Sequence, residues 1–96
     1  FQCIYGADTK ADYRAALVPV IEAEIARFTC SETRVVDSDR LPAYSQSTID
    51  IEALRRDKWI EMASCSIRTD YSEETRVCEI AIGLDRVATL AAEVTQ

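Results

Sequence analysis

The chain contains no histidine and no asparagine. Without imidazole, Ser-His-Asp and Cys-His nucleophilic machinery is excluded. The commonest general acid–base and the commonest metal ligand are gone with it. Without asparagine there is no N-glycosylation sequon, so a secreted form would carry no N-linked sugar. The only glycines are Gly6 and Gly83, which leaves no material for a Gly-rich phosphate loop. No apolar run approaches the roughly 20 residues that span a bilayer. The longest, Ala15 to Ile21, is followed at once by Glu22 and Glu24, so the chain reads as soluble.

Positive charge is also scarce. The net charge is −6, which argues against a nucleic-acid backbone as the main partner, because phosphates are held by Lys and Arg. It also removes the usual attraction to anionic membranes. The one basic cluster is Arg55, Arg56 and Lys58, and a run of this kind is more often a solvated face than a contact patch.

What is present suffices for one folded domain. Ninety-six residues, 48% of them hydrophobic, make a single domain spanning residues 1–96 with no second core. The chain opens at Phe1 without an initiator methionine or a charged-then-apolar stretch, as expected of a processed or a recombinant mature protein.

Cys3, Cys30, Cys65 and Cys78 are widely spaced, and none belongs to a Cys-x-x-Cys pair. Structural zinc normally uses close-spaced knuckles, and thioredoxin-like redox pairs need adjacent spacing. No metal and no cofactor are therefore expected. An even number of cysteines in a short chain reads as a disulfide framework in an oxidising compartment. Four buried free thiols in a cytosolic protein are the bland alternative. Cys3–Cys30 is strained because a helix separates the two, and Cys65–Cys78 would be an awkward directly opposed pair in a hairpin. Of the two crossed choices, Cys3–Cys78 with Cys30–Cys65 is the expected one.

Gln2 to Tyr5 read as a first strand. Thr9 to Asp12 has the shape of a capping box, with Asp8 as a rival N-cap. Tyr13, Leu17, Val20, Ile21, Ile25 and Phe28 then recur at helical spacing, predicting a helix from about Lys10 to Phe28 that bends at Pro19. Thr33 to Asp37 and Ile49 to Ala53 read as short strands, with turn chemistry from Asp37 through Pro42. Trp59 to Arg68 and Arg76 to Leu84 read as a hairpin around Asp70-Tyr71-Ser72-Glu73. Leu84 to Val94 fits either a helix or a strand. The expected fold class is α+β, one long helix packed on an antiparallel sheet and stapled by disulfides.

The chemistry on offer is thin. Glu61 follows Trp59-Ile60 on a predicted strand, where a lone carboxylate is usually just solvent-facing. Tyr5, Tyr13, Tyr44 and Tyr71 are scattered and form no stacking platform. No catalytic residue is assigned, and the chain is not expected to be an enzyme.

Several short motifs together resemble a known group. Phe1-Gln2-Cys3 supplies an aromatic, any residue and cysteine; Gly6 and the predicted helix follow. Leu41-Pro42-Ala43-Tyr44 is similar to a proline–tyrosine loop, Trp59-Ile60-Glu61-Met62 to a strand with an aromatic and a catalytic Glu, and Asp85-Arg86-Val87 to the next strand. The pattern resembles fungal guanyl-specific ribonucleases, and especially the noncatalytic ribonuclease-like effectors secreted by plant-pathogenic fungi such as powdery mildews. Ala43 stands where the active enzymes carry their first histidine. The resemblance thus implies a vestigial site at Glu61 and Arg86 and a secreted virulence protein that binds a host protein without cleaving RNA.

Two other classes stay open. One is a small secreted killer-toxin-like α/β protein; the other is a bacterial periplasmic immunity or inhibitor protein that plugs a basic toxin. In every case the expected partner is a protein, met by polar loops on a rigid scaffold. The candidate contacts are Asp37, Asp39 and Tyr44 in one loop and Asp70, Tyr71, Glu73 and Glu74 in the other.

Overall fold

Alternation of Ile49, Ile51 and Ala53 with polar neighbours does produce a strand, and that strand belongs to a large sheet. The computed structural model of the chain describes residues 1–10, 12–38 and 45–94, with backbone alone at 45, 46, 69–71 and 94. Its elements are β1 (Gln2–Gly6), α1 (Tyr13–Thr29), β2 (Thr33–Asp37), β3 (Ser45–Arg55), β4 (Lys58–Ser72), β5 (Thr75–Ile82) and α2 (Leu84–Val94). The five described strands form one sheet in the order β1-β5-β4-β3-β2, every neighbour antiparallel. β1 and β2 are thus opposite edges, and α1 carries the chain across the sheet from one to the other.

α1 starts later than the periodicity predicts because Asp12 caps it. The Ala15 N–H donates to Asp12 Oδ1 at 2.9 Å, satisfying a donor that a helix start leaves open. The helix ends at Cys30, whose φ of 50° is left-handed, a geometry that closes helices at this position. Pro19 lies inside α1 on its exposed side, where a lost hydrogen bond can be met by water. The buried stripe is Val18, Ile25 and Thr29, with Leu17 and Ile21 partly covered. Val20 and Phe28, predicted to face the core, are exposed. The sheet reaches only one flank of α1, and the other flank looks toward α2.

The core joins Val18 and Ile25 to Ile51, Ala53, Met62, Ala63, Cys65 and Ile80 of the sheet, with Leu90 arriving from α2. All the sheet members project from one side, so both helices share that side. The opposite side carries Thr48, Asp50, Ser66 and Glu79, and there the Thr48 and Ser66 hydroxyls share a hydrogen bond of 2.9 Å.

The expected single long helix, stapled by disulfides onto a sheet, does not form. The helical layer is two short helices, of 17 and 11 residues, on a five-stranded sheet. The ambiguous tail becomes α2, because Gly83 leaves the sheet and the Val87 N–H donates to its carbonyl at 3.0 Å. All four cysteines are free, so neither Cys3–Cys78 nor Cys30–Cys65 is made. Cys30 sits exposed at the C-terminal end of α1 and its Sγ donates to the Arg27 carbonyl. Cys65 is buried on β4, within the influence of Arg14 at the other end of that helix. A helix of 17 residues is about 25 Å long, far beyond the ~6 Å between Cα atoms that a disulfide spans.

Candidate functional site

The hairpin of β4 and β5 is uneven. β5 ends at Ile82 opposite Ala63, while β4 has already run from Lys58 through Met62 beside β3. The carbonyls of Glu61 and Met62 therefore point past the end of β5. The Gly83 N–H takes the Met62 carbonyl at 2.8 Å, and Arg86 Nη1 takes the Glu61 carbonyl at 3.0 Å. Buried or edge carbonyls need such donors, and supplying them anchors the first turn of α2.

Because α2 is held at its first turn and by Leu90, it leaves an open flank on each side. Toward α1 lies a groove of about 560 Å³. Ile21, Ile25 and Phe28 form one wall, Val87, Ala88 and Ala91 the other, and Ile82 and Leu84 also line it. Phe28 is 59%, Ile82 43% and Leu84 73% exposed. Such a contiguous apolar surface departs from the scattered exposed apolar residues of ordinary monomers. Among the described residues Glu24 is the one charged group in the lining, and it is bound by Arg27 at 2.5 Å. On the other flank, toward the β3–β4 turn, the surface is lined by Arg55, Arg86 and Thr89 over Ile60, Met62 and Leu90.

The vestigial pair is brought together, though not as a catalytic pair would be. Arg86 contacts the backbone of Glu61, and Asp85-Arg86-Val87 begins a helix where the resemblance implies a strand. Glu61 itself lies opposite Glu52, and Glu52 is paired with Arg34 at 2.7 Å. Arg34 in turn stacks over the Trp59 ring, 4.3 Å from its centroid.

The loop residues expected to make contacts are not gathered at the groove. Glu73 and Glu74 are exposed at the β4–β5 turn, where the Ala7 N–H donates to the Glu74 carbonyl. That end of the molecule adjoins β1 and the start of α1, away from Phe28 and Leu84. Asp37 is exposed at the end of β2. Asp39 and Tyr44 lie outside the described residues, and Asp70 and Tyr71 are placed on β4 by backbone alone.

Three thiols do meet under the N-terminal half of α1. Cys3 lies directly across from Cys78, and Cys65 lies diagonal to Cys78 on the same face. Burial pushes the pKa of the Cys65 thiol up to about 11, and the neighbouring Cys78 adds to that. Burial raises Cys78 too, reinforced by Cys3. Thiols held protonated in this way are weak nucleophiles and behave as small apolar side chains. Beside them Tyr5 packs on Tyr13 with ring centroids 5.1 Å apart, and burial raises the Tyr5 phenol as well. Among the described residues no group of His, Cys, Asp or Glu is placed to hold a metal ion.

Compared with known proteins, the chain matches no family model and no curated protein. Among the described residues no helix is long and apolar enough to cross a membrane.

The groove was partly visible in the sequence. Leu84, Val87 and Ala91 keep helical spacing, although the same stretch also fits a strand, and Phe28 ends the helical stripe of α1. Their convergence was not visible, because it depends on where Gly83 turns the chain back over the sheet.

Proposed function

We propose that the protein acts by binding another protein through the groove between α1 and α2, as a secreted noncatalytic effector or toxin-like module. The observation that carries this reading is the exposure of Phe28, Ile82 and Leu84 around one apolar groove of about 560 Å³. Small-molecule sites add a few converging polar groups that orient the ligand. Here the charged lining residue Glu24 is already neutralised by Arg27. Apolar side chains of a polypeptide, such as one face of an amphipathic helix, suit such a lining.

Charge narrows the partner. A second copy would bring −6 against −6, whereas a neutral or basic protein meets no such repulsion. The proposed occupant is therefore an apolar segment of a basic or neutral partner protein. With all thiols free, secretion rests on the likeness of Phe1-Gln2-Cys3 and the later motifs to ribonuclease-like effectors. The same likeness makes the partner a host protein.

The test is a double variant, Phe28→Ser with Leu84→Ser, beside a control, Glu73→Gln with Glu74→Gln. A partner isolated with the unaltered chain should bind the groove variant at least about tenfold more weakly, as truncated anchor residues do. It should bind the hairpin control unchanged. A partner retained by the groove variant and lost by the hairpin control would move recognition to the β4–β5 turn and end this assignment.

A further inference from the structure

The second flank of α2 has a chemistry of its own. It is a recess of about 210 Å³ with an apolar floor of Ile60, Met62 and Leu90. Arg55, Arg86 and Thr89 line it above that floor, with Asp85 also present. A shallow extension of about 300 Å³ shares Arg55 and Ile60 and adds Arg56, Asp57 and Lys58. Four of the chain's 11 Lys and Arg residues thus meet on one small surface of an acidic protein. Set against Asp57, Asp85 and Glu93, which is paired with Arg55, they leave this surface locally positive.

Donor capacity is left over. A guanidinium carries five N–H groups. Arg86 commits Nη1 to the Glu61 carbonyl, and Arg55 commits Nε and Nη2 to the Glu93 carboxylate. Both keep further N–H groups beside the recess. The turn residue Arg56 adds to the field at a conformational cost: its φ is 56°, a region that favours glycine and strains a residue with a Cβ.

We propose that this recess binds the carboxylate of an amphipathic acid, with its apolar body against Ile60 and the methylene stems of Arg55 and Arg86. Planar guanidinium forks match a planar carboxylate in two-point contact. Asp85 in the lining and the overall charge of −6 penalise a dianion such as a phosphate monoester. The acid can be a free aliphatic carboxylate or the terminus of an apolar peptide. The recess lies across α2 from the groove, so the proposal goes beyond the protein-binding reading and does not depend on it.

Amide-resolved NMR titration of the full chain tests it with four probes. These are octanoate, octanol, a hexapeptide ending in two leucines with a free carboxylate, and the same peptide amidated. Octanoate should give saturable shifts at Ile60, Asp85 and Thr89, whereas octanol should leave those three unmoved. Saturable shifts from the free-acid peptide and none from its amide would identify a peptide terminus as a source. Binding of octanoate alone would identify a free acid. Arg86→Gln should weaken octanoate by roughly tenfold or more, the scale of a hydrogen bond to a charged group. Arg56→Gln with Lys58→Gln, which leaves the α2 anchor intact, should weaken it less and flatten its salt dependence. If octanoate and octanol shift the same residues with the same affinity, the recess is merely apolar and the proposal fails. It fails equally if none of the acids produces a saturable shift there. Should Arg86→Gln not fold, the contrast of acid with alcohol in the unaltered chain decides the matter.

Discussion

On the helix side of the sheet, Ile51, Ala53, Cys65 and Ile80 pack against Val18, Ile25 and Leu90. On the other side, at the very next positions, stand Asp50, Glu52, Ser66 and Glu79. The first side excludes water with hydrocarbon. The second neutralises polar groups in pairs: Arg34 with Glu52 at 2.7 Å, Arg68 with Glu79 at 2.7 Å, and Thr48 with Ser66 at 2.9 Å. Asp50, among them, is only 7% exposed. The contrast teaches where stability resides. Apolar burial gains roughly 1.5–3 kcal/mol per large side chain, whereas a partly exposed ion pair gains about 1 kcal/mol or less.

Adjacent substitutions on β3 give the largest test of that contrast. Ile51→Ala removes a fully buried side chain and should cost about 2–5 kcal/mol, the range for cavities in a core. Glu52→Gln, one residue on and on the opposite face, should cost under about 1 kcal/mol. Urea unfolding followed by circular dichroism measures both. Equal losses would mean that the polar face bears as much of the fold as the apolar one.

A smaller effect comes from Cys65, an ionisable group on the apolar face. Its folded pKa, about 11, lies above the ordinary thiol value of 9.0. The folded state therefore holds a proton that the unfolded state releases in that interval. Stability from this source is complete below the unfolded pKa and falls as pH rises toward the folded one, by at most roughly 2–3 kcal/mol. Cys65→Val should flatten the decline in stability between about pH 9 and 11. Iodoacetamide in native buffer should reach exposed Cys30 well before buried Cys65, with mass spectrometry giving the order. Quantitative early labelling of Cys65 would show that the helix layer does not seal the sheet.

The smallest effect belongs to the polar face and has the opposite sign. Arg68 and then Gln2 hold the Glu79 carboxyl below its ordinary range by hydrogen bonding. Its stabilisation is present above the unfolded carboxylate pKa and is lost as pH falls through the folded one. Arg68→Gln should make stability less sensitive to acid, because the variant loses about 1 kcal/mol or less at neutral pH and little in acid, where the carboxyl is already protonated. An unchanged acid profile in that variant would remove Glu79 from the account.

Much of the strand layer was legible in the sequence. Period-two alternation marked Ile49 to Ala53 and the second arm through Cys78, Ile80 and Ile82, because a half-buried strand must alternate. The ends were less legible. β3 extends to Ser45–Arg55 because pairing with β4 continues past the apolar positions. Helical spacing places Val20 and Phe28 on the apolar stripe of α1, one flank off the buried face, because spacing gives a face but not what covers it. Of the candidate sites, Glu61 and Arg86 were picked out as motif residues, but their contact is a strand-edge hydrogen bond. That role appears only where β4 outruns β5.

Composition alone fixes that there is no imidazole, no sequon, no phosphate loop and one domain's worth of apolar residues. Local periodicity fixes the alternation of β3 and β5 and leaves Leu84 to Val94 open between helix and strand. Tertiary structure alone decided which thiols meet, that none is bonded, and that Phe28 and Leu84 share a groove while Arg55 and Arg86 share a recess. Those outcomes depend on strand order and on how far each strand runs. Both are set by long-range packing between residues tens of positions apart, which no local pattern encodes.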